Sequence, residues 1–210
     1  PDGYRLATAA EFPSALMDVH AREVSLADFN GDGVNDVYVA DHGYDAPPFP
    51  GYQNRLVLSA GAGRWIDASS ELPQGFDFTH SVSVGDLNRD GALDVVVGNT
   101  GSPPNVVNVL FGDGRGHFRA ADPLFLPIGQ GAPLDPTRGG ILASTVSDMD
   151  GDGWPDLVAG MAAEVAPGSS PLRVLWNSAG RFEGLPTSMS YPSQPIAAVQ
   201  PLDTAAPAIN

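Results

Sequence analysis

The sequence predicts an all-β fold of β-propeller blades, with four antiparallel strands per blade and about three and a half blades in the chain. Three observations predict it. An acidic loop occurs three times, strand-like runs flank each loop, and an aromatic residue opens a further segment in each repeat. A repeat of roughly sixty residues fits a four-stranded blade. The 25 glycines and 20 prolines among 210 residues suit a β fold with many turns.

The acidic loop has the pattern D-x-[DN]-x-D-G-x-x-D and begins at Asp28, Asp86 and Asp148, which are 58 and 62 residues apart. Oxygen donors at alternate positions, followed by a glycine at a sharp turn, are typical of loops that surround Ca²⁺. Turn formation alone is the weaker interpretation for three copies in register. We expect three calcium sites, with a backbone carbonyl as the ligand at position 7. The predicted ligands are Asp28, Asn30, Asp32, Val34 and Asp36, then Asp86, Asn88, Asp90, Ala92 and Asp94, and finally Asp148, Asp150, Asp152, Trp154 and Asp156.

The residues around each loop indicate a β-hairpin rather than a helical calcium hand. A helical hand needs a bidentate Glu at position 12, where this chain has Val39, Val97 and Ala159. The runs after the loops are rich in β-branched residues and are interpreted as strands buried on both faces. The apolar side chains at position 2 are predicted to point into the core. They are Phe29, Leu87 and Met149.

Each repeat is interpreted as four strands. One strand precedes the acidic loop, one follows it, a third comes after a variable connection, and the fourth starts at an aromatic residue. The aromatic residues are Tyr4, Trp65, Phe118 and Phe182. The predicted divisions are 1–16, the last strand of a preceding blade; 17–75 with loop 28–36; 76–137 with loop 86–94; 138–192 with loop 148–156; and 193–210, the start of a degenerate fourth repeat.

An incomplete number of blades would leave exposed sheet edges, which invite pairing with another chain. In the fourth repeat, the stretch 201–206 lacks the acids at positions 1 and 5 and the glycine at position 6, so we expect no metal there. Two interpretations stay open. The chain is part of a longer polypeptide that supplies more blades, or copies of the chain associate to complete a ring.

Composition excludes several classes of protein. A formal charge of −15 disfavours nucleic acid as a partner. There is no cysteine for disulfides and no apolar run long enough to span a membrane. The four histidines, His20, His42, His80 and His117, form no zinc-binding spacing, and His80 is interpreted as structural. No catalytic motif is present, so we expect no enzymatic activity and no catalytic residues.

The stretches SLADFNGDGVNDVYVADHG and SVGDLNRDGALDVVVGNTG resemble the FG-GAP or VCBS repeat family, which includes the propeller of integrin α subunits and many secreted bacterial proteins. The resemblance covers roughly residues 17–192. It implies calcium bound in hairpin loops on propeller blades, at the fifteen positions named above. It also implies an extracellular or cell-surface location, with the periplasm as an alternative.

The long connection after the first repeat's second strand is the candidate binding surface. It combines aromatic and polar groups, which suit a sugar ring or a partner loop. Its candidate ligand-binding residues are His42, Tyr44, Asp45, Phe49 and Tyr52. The other interpretation is a loop folded over the blade edge with its rings packed locally.

The sequence therefore predicts an extracellular calcium-binding propeller segment that acts as a recognition or adhesion scaffold for a protein or glycan, with calcium in a structural role. Two alternatives stay open. One is a non-catalytic propeller part of a larger secreted carbohydrate-active enzyme, and the other is a structural subunit of a surface assembly.

Overall fold

The structure is a computed structural model, and it describes residues 3–13, 20–100, 107–121, 140–161 and 172–182. These ranges are all-β, as predicted, with one short 3₁₀ turn at Ser69–Glu71 and no α-helix. They contain no helix of the length and apolarity that crossing a membrane requires. The strands are β1 (Ala21–Ala27), β2 (Asp36–Asp41), β3 (Arg55–Ser59), β4 (Trp65–Asp67), β5 (Thr79–Gly85), β6 (Asp94–Asn99), β7 (Val107–Gly112), β8 (Phe118–Ala120), β9 (Ile141–Ser147), β10 (Asp156–Met161), β11 (Leu172–Leu175), β12 (Asn177–Ser178) and β13 (Arg181–Phe182).

The strands form antiparallel sheets in which neighbours in sequence are neighbours in space. Sheet 1 has the order β1-β2-β3-β4, and sheet 2 has the order β5-β6-β7-β8. Both match the predicted four-stranded unit. In the third repeat, β9, β10 and β11 form a three-stranded sheet, and β12 and β13 form a separate hairpin. We call the three-stranded sheet and this hairpin together sheet 3.

The sheets stack face to face in chain order, because two hydrophobic clusters join them. The first cluster lies between sheets 1 and 2 and includes Tyr38 and Leu56 from sheet 1 with Val95 from sheet 2. The second lies between sheets 2 and 3 and includes Val96 with Leu157. Val95 and Val96 point to opposite faces because side chains alternate along a strand. Sheet 2 is therefore the only one of the three with described sheets on both sides.

This stacking corrects the prediction that all strands after the acidic loops are buried on both faces. In sheet 2 the whole of β6 is buried. In β2 the side chains of Val37 and Val39 are only partly buried, and in β10 the same holds for Val158. The prediction failed for these strands because burial of the second face needs another sheet, and none of the described residues supplies one.

The segment 3–13 differs from the strand expected there. It contains a turn closed by Glu11, whose carboxylate accepts hydrogen bonds from the Arg5 guanidinium and from the Thr8 backbone. The backbone carbonyl of Glu11 accepts a hydrogen bond of 2.7 Å from the Trp65 N–H. Tyr4 is fully exposed. Side-chain bonding to the backbone thus replaces a strand ladder in this segment.

Candidate metal centres

Each acidic loop connects the two strands of a hairpin, as predicted. Loop 28–36 joins β1 to β2, loop 86–94 joins β5 to β6, and loop 148–156 joins β9 to β10. All three pairs are antiparallel. The contact between Arg89 and Trp154 and the bond from the Gly116 N–H to the Phe29 carbonyl place the loops at the same end of the stacked sheets. The hairpin could be predicted from the sequence because a nine-residue turn between two short apolar runs leaves no room for a helix.

Each loop folds around hydrogen bonds from its own backbone to its own acidic side chains. In the first loop the Asp28 carboxylate accepts the Gly33 N–H at 2.8 Å, Asn30 Oδ1 accepts the Asp32 N–H at 3.0 Å, and Asp32 Oδ1 accepts the Val34 N–H at 2.8 Å. These bonds fix the orientation of the carboxylate and amide oxygens at positions 1, 3 and 5. The same bonds occur from Gly91 to Asp86, Asp90 to Asn88 and Ala92 to Asp90, and from Gly153 to Asp148, Asp152 to Asp150 and Trp154 to Asp152.

The glycine at position 6 has the conformation that the sequence predicts. The φ angles of Gly33, Gly91 and Gly153 are 84°, 90° and 87°. A side chain would be strained at these angles, because Cβ then approaches the following carbonyl oxygen. The turn lets the backbone N–H of position 6 reach back to the carboxylate at position 1.

The third loop brings carboxylates together most closely. One oxygen from each of Asp148, Asp150 and Asp156 lies within 4.8 Å of the other two, which is a spacing that one cation can bridge. In the other two loops, position 3 is Asn30 or Asn88, so an amide oxygen stands where the third loop has a carboxylate. The residues fit a hard cation. The complete ligand sets, including the carbonyls of Val34, Ala92 and Trp154, stay predictions.

The aspartate at position 9 has a structural role that sequence reasoning missed. Asp36 is fully buried, and its two oxygens accept backbone N–H bonds from Phe29 and Ser59, each at 2.7 Å. Phe29 is in the loop, whereas Ser59 ends the third strand. The carboxylate therefore holds the loop to its own sheet. The equivalent bonds join Asp94 to Leu87 and Gly112, and Asp156 to Met149 and Asn177.

No sequence signal could have revealed this second role. The bonded residues are Ser59 and Gly112, which end the third strand of their sheets, and Asn177, which begins β12 just after β11. Their side chains differ because the backbone N–H makes the bond. Burial raises the pKa of Asp94 to about 7 and also raises the pKa of Asp36. A nearby cation would favour the charged form of these carboxylates.

The loops also contact the neighbouring repeat. The carbonyl of Phe29 accepts a 3.1 Å hydrogen bond from the Gly116 N–H of the second repeat. The carbonyl of Leu87 accepts a 2.8 Å bond from Asn177 Nδ2 of the third repeat. The ring of Phe29 packs edge-on against that of Phe118, with centroids 5.6 Å apart. Position 2 of the first two loops is thus held by the repeat that follows.

The prediction that position 2 points into the core is confirmed for two loops and wrong for the third. Phe29 and Leu87 are 2% and 0% exposed, whereas Met149 is 54% exposed. The pocket for position 2 is formed by the following repeat. Within the described residues, no repeat follows sheet 3, so Met149 has no such pocket.

The candidate binding loop divides into a buried and an exposed part. His42 is 2% exposed, so it does not present its ring to a ligand at the surface. Tyr44 and Phe49 are 65% and 48% exposed, and Asp45 is exposed as well. Tyr52 is partly buried.

Local packing holds this loop against the second repeat. The ring of Tyr52 stacks parallel on Phe76, at 5.7 Å and 5°, and the Arg55 guanidinium lies 5.2 Å from the Tyr52 centroid. The backbone of Tyr52 also pairs with Asp77 in an isolated antiparallel bridge. Both sequence interpretations therefore have a counterpart: part of the loop packs locally, and part exposes aromatic rings.

The chain is therefore a repeat protein of stacked antiparallel sheets. Each sheet has an acidic hairpin loop with a glycine at its turn, and loops of this type bind cations. The comparison with known families agrees with this class. Residues 28–97 match the family described as FG-GAP-like repeat, so this part of the chain carries an FG-GAP-like repeat, as the resemblance predicted. The matched range runs from the first acidic loop through the second.

Two curated relatives have the same name. The chain is similar to cartilage acidic protein 1 of Mus musculus, with 30% identity over 162 residues, and to cartilage acidic protein 1 of Homo sapiens, with 29% identity over 164 residues. Each alignment covers 77% of this chain and 23% of the relative. The chain thus spans about a quarter of the length of these relatives.

Proposed function

We propose that this chain is an extracellular segment of a calcium-binding β-propeller, that its calcium ions are structural, and that the stiffened blades present a recognition or adhesion surface. The observation that carries the proposal is the hydrogen-bond network at positions 1, 3, 5 and 6, which is repeated in all three loops. The name cartilage acidic protein 1 supports an extracellular location, since cartilage consists largely of matrix. The acidic composition of this chain agrees with that name.

Calcium suits these loops better than a transition metal or Mg²⁺. The side-chain donors are all carboxylate or amide oxygens, which hard cations prefer. Mg²⁺ demands near-ideal octahedral geometry and keeps several waters, whereas Ca²⁺ accepts six to eight oxygens in flexible arrangements. Three Ca²⁺ ions would change the formal charge from −15 to −9, which reduces the repulsion between acidic groups.

Calcium titration by calorimetry of the chelator-treated protein tests the proposal. We expect three bound Ca²⁺ per chain, and two in Asp32→Ala, because this substitution removes an oxygen from one loop only. Asp113→Asn is the matched control. Asp113 is acidic and exposed but lies outside the loops, so three ions should still bind. A chain that binds no Ca²⁺ at millimolar concentration would contradict the proposal.

The recognition surface is assigned to exposed aromatic rings around the candidate binding loop. Tyr44, Phe49 and Phe76 are 65%, 48% and 69% exposed, and Tyr52 joins them through its stack on Phe76. We call these four residues the aromatic patch. Rings of this kind bind sugars or partner loops, since they offer apolar faces with polar edges. Asp45 supplies a hydrogen-bond acceptor close by in sequence.

Binding of the calcium-loaded protein to a glycan array and to extracellular matrix proteins tests this surface. Tyr44→Ala and Tyr52→Ala should abolish binding while the circular dichroism spectrum stays unchanged. Ile66→Ala is the control, because Ile66 is 53% exposed on β4, outside the patch, and should leave binding intact. Unfolding of the patch variants would instead support a purely local packing role for the rings.

The exposed outer face of sheet 1 is an argument for further blades. Val24 and Leu26 are 54% and 61% exposed and pair with Val39 and Val37 of β2. The same register in sheet 2 pairs Val82 with Val97 and Val84 with Val95, and there this set packs on sheet 1. The exposed set on sheet 1 is thus the set that a preceding blade would cover.

We propose that blades from the rest of a longer polypeptide cover this face, which agrees with the 23% share of the relatives that the chain spans. The predicted divisions at 17–75, 76–137 and 138–192 are then successive blades of that propeller. Light scattering of the isolated chain distinguishes this origin from self-association. A monomer agrees with blades supplied by the same polypeptide, and a stable ring-forming dimer contradicts it.

A further inference from the structure

Three histidines that are far apart in sequence lie together at the end of the sheets opposite the acidic loops. His20 precedes β1, His42 follows β2, and His80 is the second residue of β5. The His20 and His42 rings have centroids 4.4 Å apart, and the His42 and His80 rings have centroids 5.4 Å apart. β1 has seven residues, so this cluster lies about 20 Å from the first acidic loop.

The backbone fixes two of the histidines in place. The carbonyl of His20 accepts a 3.3 Å hydrogen bond from the His42 N–H, so these residues face each other across the hairpin. The carboxylate of Asp41 accepts the His20 N–H at 2.9 Å and the Gly43 N–H at 2.8 Å. His80 belongs to sheet 2. The cluster therefore spans the boundary between sheets 1 and 2.

His42 is the residue whose surroundings need an explanation. It is 2% exposed, and neither of its ring nitrogens has a hydrogen-bond partner among the described residues. Burial of a polar group without a partner is unfavourable, and such groups in folded proteins usually bind water, a ligand or an ion. The Phe78 ring stacks on the His42 ring at 4.8 Å and shields one face of it from water.

His80 has the arrangement expected of a metal-binding histidine. Its Nδ1 lies 3.2 Å from the Phe78 carbonyl oxygen and 2.9 Å from Thr100 Oγ1. Metal-binding histidines usually donate the N–H of one ring nitrogen to a carbonyl, which fixes the tautomer and leaves the other nitrogen free for the ion. In the tautomer of His80 that donates the Nδ1 proton to the Phe78 carbonyl, Nε2 is the atom that can bind a metal.

We propose that His20, His42 and His80 bind one divalent transition-metal ion, with Zn²⁺ as the fitting representative, and that this ion links sheets 1 and 2 at the end opposite the calcium loops. Three imidazoles and one water are a common tetrahedral set for Zn²⁺. When two imidazoles bind one Zn²⁺ ion with Zn–N distances of about 2.0–2.1 Å, their ring centroids lie about 5 Å apart. The distances of 4.4 and 5.4 Å are close to that value.

The charges around the cluster are mixed. Arg22 opposes a cation, whereas Asp45 favours one, and Asp41 lies beside His20 and His42. Burial lowers the pKa of His42 and of His80, which favours the neutral form of both rings. The ring nitrogens do not all lie within 4.8 Å of one another in the structure, so His20, which is exposed, must rotate its side chain to complete the site.

The test is Zn²⁺ binding to the full chain with all acidic loops saturated by Ca²⁺, measured by calorimetry and by the absorption spectrum of Co²⁺ as a substitute ion. We expect one Zn²⁺ per chain and a tetrahedral Co²⁺ spectrum. His20→Ala and His42→Phe should each weaken binding at least about tenfold. His42→Phe keeps a planar ring against Phe78, so it limits loss of folding.

His117→Ala is the matched control, because His117 is exposed in the turn before β8 and should not affect the ion. Thermal unfolding should show a higher Tm with Zn²⁺ in the unsubstituted chain and in His117→Ala, but not in His20→Ala. Two results would overturn the inference. One is the absence of Zn²⁺ binding at micromolar concentration, which would leave water as the partner of His42. The other is binding that survives both His20→Ala and His42→Phe.

Discussion

The guanidinium carbon of Arg89 lies 5.1 Å from the centroid of the Trp154 ring, so the second acidic loop contacts the third directly. Arg89 is at position 4 of its loop and has a φ of 56°, whereas the other two loops have Gly31 and Gly151 there, with φ of 75° and 82°. An arginine in the left-handed region is strained. The cation–π contact offsets that strain.

Substitution of Arg89 separates these two effects. Arg89→Ala loses the contact but keeps the strained backbone, so we expect a decrease of about 1 kcal/mol in the free energy of unfolding. Arg89→Gly loses the contact and also the strain, so it should be more stable than the alanine variant by roughly 1 kcal/mol. Urea unfolding of both variants in calcium buffer measures this. A glycine variant less stable than the alanine variant would contradict the assigned strain.

Removal of calcium is expected to lower the stability of the chain strongly. At a free Ca²⁺ concentration ten times the dissociation constant, each site adds about 1.4 kcal/mol, and three independent sites add about 4 kcal/mol. This is comparable with the total stability of many domains. Thermal unfolding with Ca²⁺, with Mg²⁺ and with chelator measures the effect. A Tm that is the same in all three conditions would argue against structural calcium.

The two kinds of aspartate in a loop should respond differently in chelator. Asp94→Ala removes the acceptor of the buried Leu87 N–H and of the partly buried Gly112 N–H, so we expect a loss of about 2–4 kcal/mol even without calcium. Asp90 is exposed, and its partners in the described part of the chain are both within the loop, so Asp90→Ala should cost roughly 0.5 kcal/mol. Denaturant unfolding in chelator compares them. Equal losses would mean that the position 9 carboxylate does not hold the third strand.

The position 2 side chains provide a test of sheet stacking. Leu87 packs in the cluster between sheets 2 and 3, so Leu87→Ala should cost about 2–5 kcal/mol. Met149 occupies the equivalent position in the third loop but is 54% exposed, so Met149→Ala should change stability by less than about 0.5 kcal/mol. Unfolding of the isolated chain gives both values. A large loss in Met149→Ala would indicate that another sheet covers that face in solution.

The local sequence pattern predicted the hairpins well, because the residues that determine the turn lie within a stretch of nine. The acids, the glycine and the flanking apolar runs of loop 86–94 were sufficient to place β5 and β6. Burial could not be predicted in the same way. Val37 and Val95 are the same residue type at the same repeat position, yet only Val95 is fully buried, because its face meets sheet 1.

The histidine cluster shows the limit of sequence spacing more clearly. His20, His42 and His80 are separated by 22 and 38 residues, so they match no metal-binding motif. They meet because antiparallel pairing places the start of β1 beside the end of β2, and because stacking brings the start of β5 against both. Register and stacking are properties of the assembled sheets, which a linear pattern does not contain.

The two carbonyl bonds that join successive repeats have a consequence for how such a chain can grow. Phe29 offers its carbonyl to the second repeat and Leu87 offers its own to the third, while Gly116 and Asn177 supply the donors. The second repeat, which contains both Leu87 and Gly116, carries an acceptor on one side and a donor on the other. If the gene segment that encodes such a repeat were duplicated in tandem, the added repeat would already carry both the acceptor and the donor. The hydrogen bond between the two copies would then need no new residue.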